Sequence, residues 1–106
     1  MGNVVAKADL KRPPMIISFR HKGLRDFWMT DSTKGIPANF ALRIELILDA
    51  LDVAHDIGQL NAPGFKLHQL KGDRKGEWSI RVSGNWRITF KFAGGNASDI
   101  NLEDYH

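Results

Sequence analysis

The stretch Trp78-Ser79-Ile80-Arg81-Val82-Ser83-Gly84-Asn85-Trp86-Arg87-Ile88-Thr89-Phe90-Lys91-Phe92 decides the fold. Trp78, Ile80 and Val82 alternate with Ser79 and Arg81, and Trp86, Ile88, Phe90 and Phe92 alternate with Arg87, Thr89 and Lys91. Such period-two alternation puts one set on the buried side of a sheet and the other on its open side. Ser83-Gly84-Asn85 between the runs reads as a three-residue hairpin loop. Pairing Val82 with Trp86 sets Ile80 opposite Ile88 and Arg81 opposite Arg87. Two arginines facing each other across a ladder repel, by up to about 1 kcal/mol. An anion held between them removes that cost, because a guanidinium grips phosphate through two parallel hydrogen bonds. The competing reading is a solvated polar face with both side chains splayed into water.

Working outward, Phe65 to Leu70 reads as a preceding strand, joined through the basic loop Lys71-Gly72-Asp73-Arg74-Lys75-Gly76. Gly94-Gly95-Asn96 marks another turn, and Ile100 and Leu102 alternate with Asn101 and Glu103 in a final strand. Upstream, Phe40, Ile44, Ile47, Leu48, Leu51 and Ala54 recur at helical spacing, with Arg43, Glu45, Asp49 and Asp52 elsewhere on the wheel. Pro37 suits the first turn of that helix, and Gly58 suits its end. His21 to Met29 predicts a shorter helix with Leu24, Phe27 and Trp28 on one side, and Met15-Ile16-Ile17-Ser18-Phe19 predicts a short strand. Helices followed by an antiparallel meander make an α+β fold, a small antiparallel sheet with two N-terminal helices packed on one face. Residues 1–14 lack periodicity and end in Lys-Arg-Pro-Pro. They read as a flexible N-terminal extension, native or not, before a single domain over 15–106.

Composition narrows the function classes. The chain has 106 residues, 42% of them hydrophobic, enough for one core and too few for two. It has no cysteine, which excludes disulfides, thiolate metal sites and cysteine nucleophiles. No apolar run is long enough for a membrane helix, and residues 1–14 have no secretory apolar core, so a cytoplasmic protein is expected. The net charge is +3 and unevenly spread. Phe65 to Phe92 holds seven basic residues (Lys66, Lys71, Arg74, Lys75, Arg81, Arg87, Lys91) against two acidic ones, whereas Ala38 to Leu60 sets Arg43 against Glu45, Asp49, Asp52 and Asp56. One face of such a chain can attract a polyanion while another stays acidic. His21, His55, His68 and His106 show no metal-ligand spacing, so neither metal nor cofactor is expected. A face bearing Arg, Lys, His and Tyr suits metal-free phosphodiester cleavage. That reaction needs a base for the ribose 2′-hydroxyl, an acid for the leaving oxygen and cations for the phosphorane. Histidine can serve as either acid or base, because it titrates near neutrality.

Lys66-Leu67-His68, Leu70-Lys71-Gly72-Asp73-Arg74, Trp78-Ser79-Ile80-Arg81-Val82, Asn85-Trp86-Arg87-Ile88 and the terminal Asp104-Tyr105-His106 closely resemble the HigB toxins. These form part of the RelE-like branch of bacterial toxin–antitoxin systems. The resemblance runs from Met15 to His106, with Ile16 to Phe19 matching the family's opening strand and Leu48-Asp49 and Ala54 its long helix. It implies a ribosome-dependent endoribonuclease that cuts mRNA in the ribosomal A site and stops translation. By position, His68 matches a catalytic or transition-state-positioning residue, and Lys71 and Arg87 match phosphate-stabilising cations. Asp104, Tyr105 and His106 match a C-terminal catalytic cluster in which His106 transfers a proton. Arg74, Lys75, Arg81 and Lys91 are assigned to RNA contact. The implied partners are the ribosome, mRNA and a HigA-type helix-turn-helix antitoxin that represses the shared operon. Operator DNA is then met only through the antitoxin, and no membrane is involved.

Residues 1–14 have no family counterpart, and Gln69 and Glu77 depart from the family's usual residues at positions not expected to do chemistry. Two other functions stay open at this point. One is a ParE-like inhibitor that binds DNA gyrase, and the other a non-catalytic protein that merely occupies the ribosome. The Asp104-Tyr105-His106 terminus together with His68 and Lys71 argues for catalysis, since a binding-only toxin needs none of them. The antitoxin is expected on the acidic helix face bearing Glu45, Asp49, Asp52 and Asp56.

Overall fold

A computed structural model describes residues 15–105. Two helices, α1 (Lys22–Thr30) and α2 (Ala41–Val53), precede four strands, β1 (His68–Gln69), β2 (Glu77–Ser83), β3 (Trp86–Ala93) and β4 (Asn96–Asp104). The strands form one antiparallel meander in the order β1-β2-β3-β4. This is the expected α+β arrangement. The opening residues run parallel to β4, bridging Ile16 to Ala97 and Phe19 to Ile100, so the short apolar N-terminal run does join the sheet.

The core lies between the sheet and α2. Ile44, Ile47, Leu48, Leu51 and Ala54 on the helix and Ile80, Val82, Ile88, Phe90, Ala97, Ile100 and Leu102 on the strands are all buried. These are the positions that the two periodicities select. Each fully buried Leu, Ile or Phe contributes roughly 1.5–3 kcal/mol relative to its exposed state. The expected acidic face of α2 is only partly open, because Asp52 turns inward and is buried while Glu45 and Asp49 are exposed. Exposed beside them are Leu42 (84%), Leu46 (54%) and Val53 (55%).

Several boundaries differ from the sequence reading. The helix ends at Val53, not near Gly58, and a separate 3-10 turn runs from Ile57 to Leu60. Gln59 Oε1 accepts the backbone N–H groups of His55 and Asp56, and this local bonding competes with helix continuation. The strand expected over 65–70 shrinks to His68–Gln69. Its ends still bond to β2, with Arg81 N–H donating to the Phe65 carbonyl and Leu70 N–H to the Glu77 carbonyl. Between them Lys66 takes a left-handed φ of 50°, which breaks the ladder. In the hairpin, Ser83 rather than Val82 pairs with Trp86, and the register shifts between Arg81 and Ser83. The loop is therefore two residues, Gly84-Asn85, with a bulge at Val82. Ile80 still faces Ile88 and Arg81 still faces Arg87.

Candidate active site

Two cross-strand rows build the polar face of the sheet. One row runs His68, Ser79, Thr89 and Asn101, and its neighbour runs Arg81, Arg87 and Glu103. Facing residues in a ladder lie on the same side, so these side chains share one surface. Its floor is not open to water, because Ser79 and Thr89 are each only 1% exposed. Over Thr89 lies a charged cluster. The two terminal nitrogens of Arg74 donate to Glu103, at 2.7 Å to Oε1 and 2.5 Å to Oε2. Arg74 also donates to Glu77 at 2.7 Å, and the Thr89 hydroxyl donates to Glu103 Oε2 at 2.5 Å. The Asn101 amide reaches the same oxygen at 3.4 Å. The bidentate guanidinium holds the Glu103 carboxyl down to about 2, and the two carboxylates raise the Arg74 pKa.

Arg87 is the opposite case. Its Nε is buried and has no hydrogen-bond partner among the described residues. An unpaired buried donor costs roughly 1–3 kcal/mol, more when charged. Arg81 opposite brings a second positive charge. Its backbone, not its side chain, is what the fold uses. The Arg81 carbonyl accepts from Arg43 Nε at 3.2 Å and Nη2 at 2.9 Å, and Arg43 also stacks 5.2 Å from the centre of the Phe65 ring. The bulge strand is thus tied to α2, which steadies the arginine pair.

The other expected site residues fall around this pair. His68 is exposed on β1, two strands over from Arg87 and in register with Thr89, two residues along, which corresponds to about 12 Å. Lys71 is exposed at the start of the turn Gly72–Arg74, and Lys75 is exposed at its end. Tyr105 is 36% exposed, and its N–H donates to the Asn85 carbonyl, which holds the chain end beside the hairpin turn. Asp104 faces Trp86 in the ladder, on the side where Trp86 meets Phe40, and so lies on the sheet face opposite to Arg87. His106 lies outside the described residues.

Two of the expected RNA contacts are engaged elsewhere. Lys91 forms an exposed pair with Asp99 at 3.4 Å, a contact weak enough for a polyanion to displace. Arg74, also expected to contact RNA, has its guanidinium bonded to Glu77 and Glu103. The reading of the residues missed Glu103 and Glu77 as site elements. Extending the hairpin register by one strand would have set Glu103 against Arg87, but nothing local indicates that Arg74 crosses to it. His21 caps α1 by accepting the Leu24 N–H at Nδ1, and burial lowers its pKa. Among the described residues no His, Asp and Glu group together as metal ligands, and no helix is long and apolar enough to cross a membrane.

The chain is similar to known proteins along nearly its whole described length. A family model described as the HigB-like toxin, the RelE-like toxin of type II toxin–antitoxin system HigB, matches residues 17–106. Over 92 residues the chain is 53% identical to Endoribonuclease HigB of Proteus vulgaris, covering 87% of this chain and 100% of that protein. Over 93 residues it is 30% identical to Toxin HigB-1 of Vibrio cholerae, covering 86% of this chain and 98% of the relative.

Proposed function

The chain belongs to the HigB-like family of RelE-like type II toxins, and from that premise we propose how its sheet face cuts RNA. The protein is an endoribonuclease toxin with an antitoxin partner. Its substrate is mRNA in the ribosomal A site, and the reaction runs without a metal. The observation that carries this reading is the Arg81–Arg87 pair, two half-buried arginines facing each other across the hairpin with no carboxylate bonded to either among the described residues. A phosphodiester set against the pair supplies the missing negative charge.

The ribose 2′-oxygen attacks phosphorus, its proton passes to a base, and the bond from phosphorus to the 5′-oxygen breaks as an acid protonates that oxygen. His68 and His106 take the proton-transfer roles with Tyr105, while Asp104, which faces Trp86 on the other side of the sheet, takes no direct part. Arg87 and Lys71 stabilise the charge that accumulates on the phosphorane oxygens, the term that usually contributes most to such a barrier. Arg81, Lys75 and Lys91 hold flanking phosphates, sequence-independent contacts that strengthen at low salt. Because the ribosome presents the message, the toxin acts in the cytoplasm.

The antitoxin is of HigA type and meets the helical side. Leu42, Leu46 and Val53 are exposed there beside Glu45 and Asp49, a surface that an apolar partner with basic flanks would cover. Primer extension on a defined mRNA held on ribosomes tests the catalytic reading. Cuts confined to the A-site codon, absent without ribosomes and lost in His106→Ala and Arg87→Ala, are the expected result. Arrested translation with no cut would instead make the protein a ribosome binder. Untouched translation would move its target elsewhere.

A further inference from the structure

A carboxylate sits directly across the ladder from Arg87, and the fold keeps it occupied. Glu103 is the β4 partner of Arg87, and side chains so paired have Cβ atoms about 5 Å apart, well within ion-pair reach. Glu103 nevertheless spends both oxygens on Arg74, at 2.7 and 2.5 Å. Thr89 and Asn101 hold the second oxygen in place, and Glu77 holds Arg74 from its other side. No ion pair joins Arg87 to Glu103, and the Arg87 Nε is left buried without an acceptor.

We propose that Arg74 is a positioning residue that acts through Glu103, sequestering this carboxylate so that Arg87 stays unpaired and open to a phosphodiester. The inference rests on the reading of Arg87 as a phosphate-holding cation. A carboxylate tethered opposite Arg87 competes with phosphate at an effective concentration that no free anion in solution matches. A neighbouring guanidinium that takes both carboxylate oxygens at once removes the competitor. Lysine lacks that fork and holds a carboxylate at one point only. Arg74 therefore serves the site without touching RNA.

A packing strut and a sequestering group respond differently to mutation. If the Arg74–Glu103 pair only braced the sheet, losing either partner would do similar harm, and losing both would do no less. Sequestration makes the outcome asymmetric. Arg74→Ala releases Glu103 onto Arg87, whereas Glu103→Gln leaves Arg87 free and keeps an acceptor for Thr89. Removing the carboxylate in the Arg74→Ala background then restores the site.

The test follows the Arg87 Nε–H resonance of the full-length protein by nitrogen-15 NMR during titration with inorganic phosphate. A-site cleavage and thermal melting are measured in parallel. In Arg74→Ala the phosphate response weakens by about tenfold or more, as expected when a close charge pair replaces a free cation. Glu103→Gln titrates like the wild type, and Arg74→Ala/Glu103→Gln recovers most of the lost response and cleavage. Arg74→Lys, the milder change should the alanine variant not fold, falls between the wild type and Arg74→Ala. A double variant no better than Arg74→Ala would overturn sequestration, as would a Glu103→Gln loss equal to that of Arg74→Ala. If the wild-type Arg87 signal ignores phosphate while cleavage is intact, the phosphate reading of Arg87 fails, and the inference falls with it.

Discussion

Arg87 has a buried Nε with no hydrogen-bond partner among the described residues, and that makes its removal informative. Substituting alanine deletes a buried unpaired donor, so the folded state loses a penalty rather than a bond. Arg87→Ala should therefore melt no lower than the wild type, while its cleavage rate on programmed ribosomes falls by about 10²–10³, as for loss of one group that stabilises transition-state charge. A variant that loses activity and several degrees of melting temperature together would show Arg87 to be structural. Glu103 behaves in the opposite way. Its carboxyl titrates at about 2 in the folded chain against an ordinary 4.5, mainly because Arg74 donates to it. A depressed folded value means that the pair's stabilisation is complete above the unfolded value and drains away as pH falls from about 4.5 towards 2. Urea unfolding between pH 7 and pH 2.5 should thus fall more steeply for the wild type than for Arg74→Ala. Parallel pH curves would deny the pair that contribution.

At the scale of elements, α1 is seated by an approach that only glycine permits. A Cβ on Gly23 would collide with the carbonyl of Gly35, and one on Gly35 would lie 2.6 Å from the Gly23 Cα. Both obstacles are backbone, so no rotamer change relieves them. Gly23→Ala should cost about 1–3 kcal/mol, the usual penalty of forcing atoms into a packed contact, despite alanine's better helix propensity. Equilibrium denaturation checks this, and a neutral or stabilising outcome would mean that the loop around Gly35 is free to move. Nothing in the sequence announces this contact, since it depends on how the segment after α1 folds back. The hairpin shows the reverse. Its register at Ile80–Ile88 and Arg81–Arg87 follows from alternation alone, because a slip of one residue would expose the apolar set. Only the Val82 bulge escapes that logic, being a matter of turn geometry. The first strand is shorter than residues 65–70 predict because Lys66 adopts a conformation that no composition signal marks. The cationic row was legible for the same reason as the hairpin. The Arg74–Glu103 pair was not, because it joins residues that share no local pattern and meet only once three strands are in place.

For the whole molecule, the fold puts two different kinds of surface back to back. The sheet face offers Arg81 and Arg87, with Lys71 and Lys75 exposed in the turn before β2, and the helical side offers Leu42, Leu46 and Val53 beside Glu45 and Asp49. A polyanion and an apolar partner can then be recognised separately, with the core between them. The two modes differ in their response to salt. Phosphate contacts release counterions, so RNA engagement weakens steeply as salt rises, whereas burial of apolar area is nearly indifferent to screening. Leu46→Arg should therefore weaken neutralisation by the antitoxin, by about tenfold or more for loss of a central apolar contact, while A-site cleavage by the free toxin is unchanged. Arg81→Ala should do the converse, lowering cleavage and flattening its salt dependence while antitoxin binding holds. Antitoxin titrations of cleavage at two salt concentrations read both effects. If Arg81→Ala abolished antitoxin binding and Leu46→Arg did not, the antitoxin would sit on the sheet face, and the toxin would be silenced by occlusion of its catalytic surface instead of from behind.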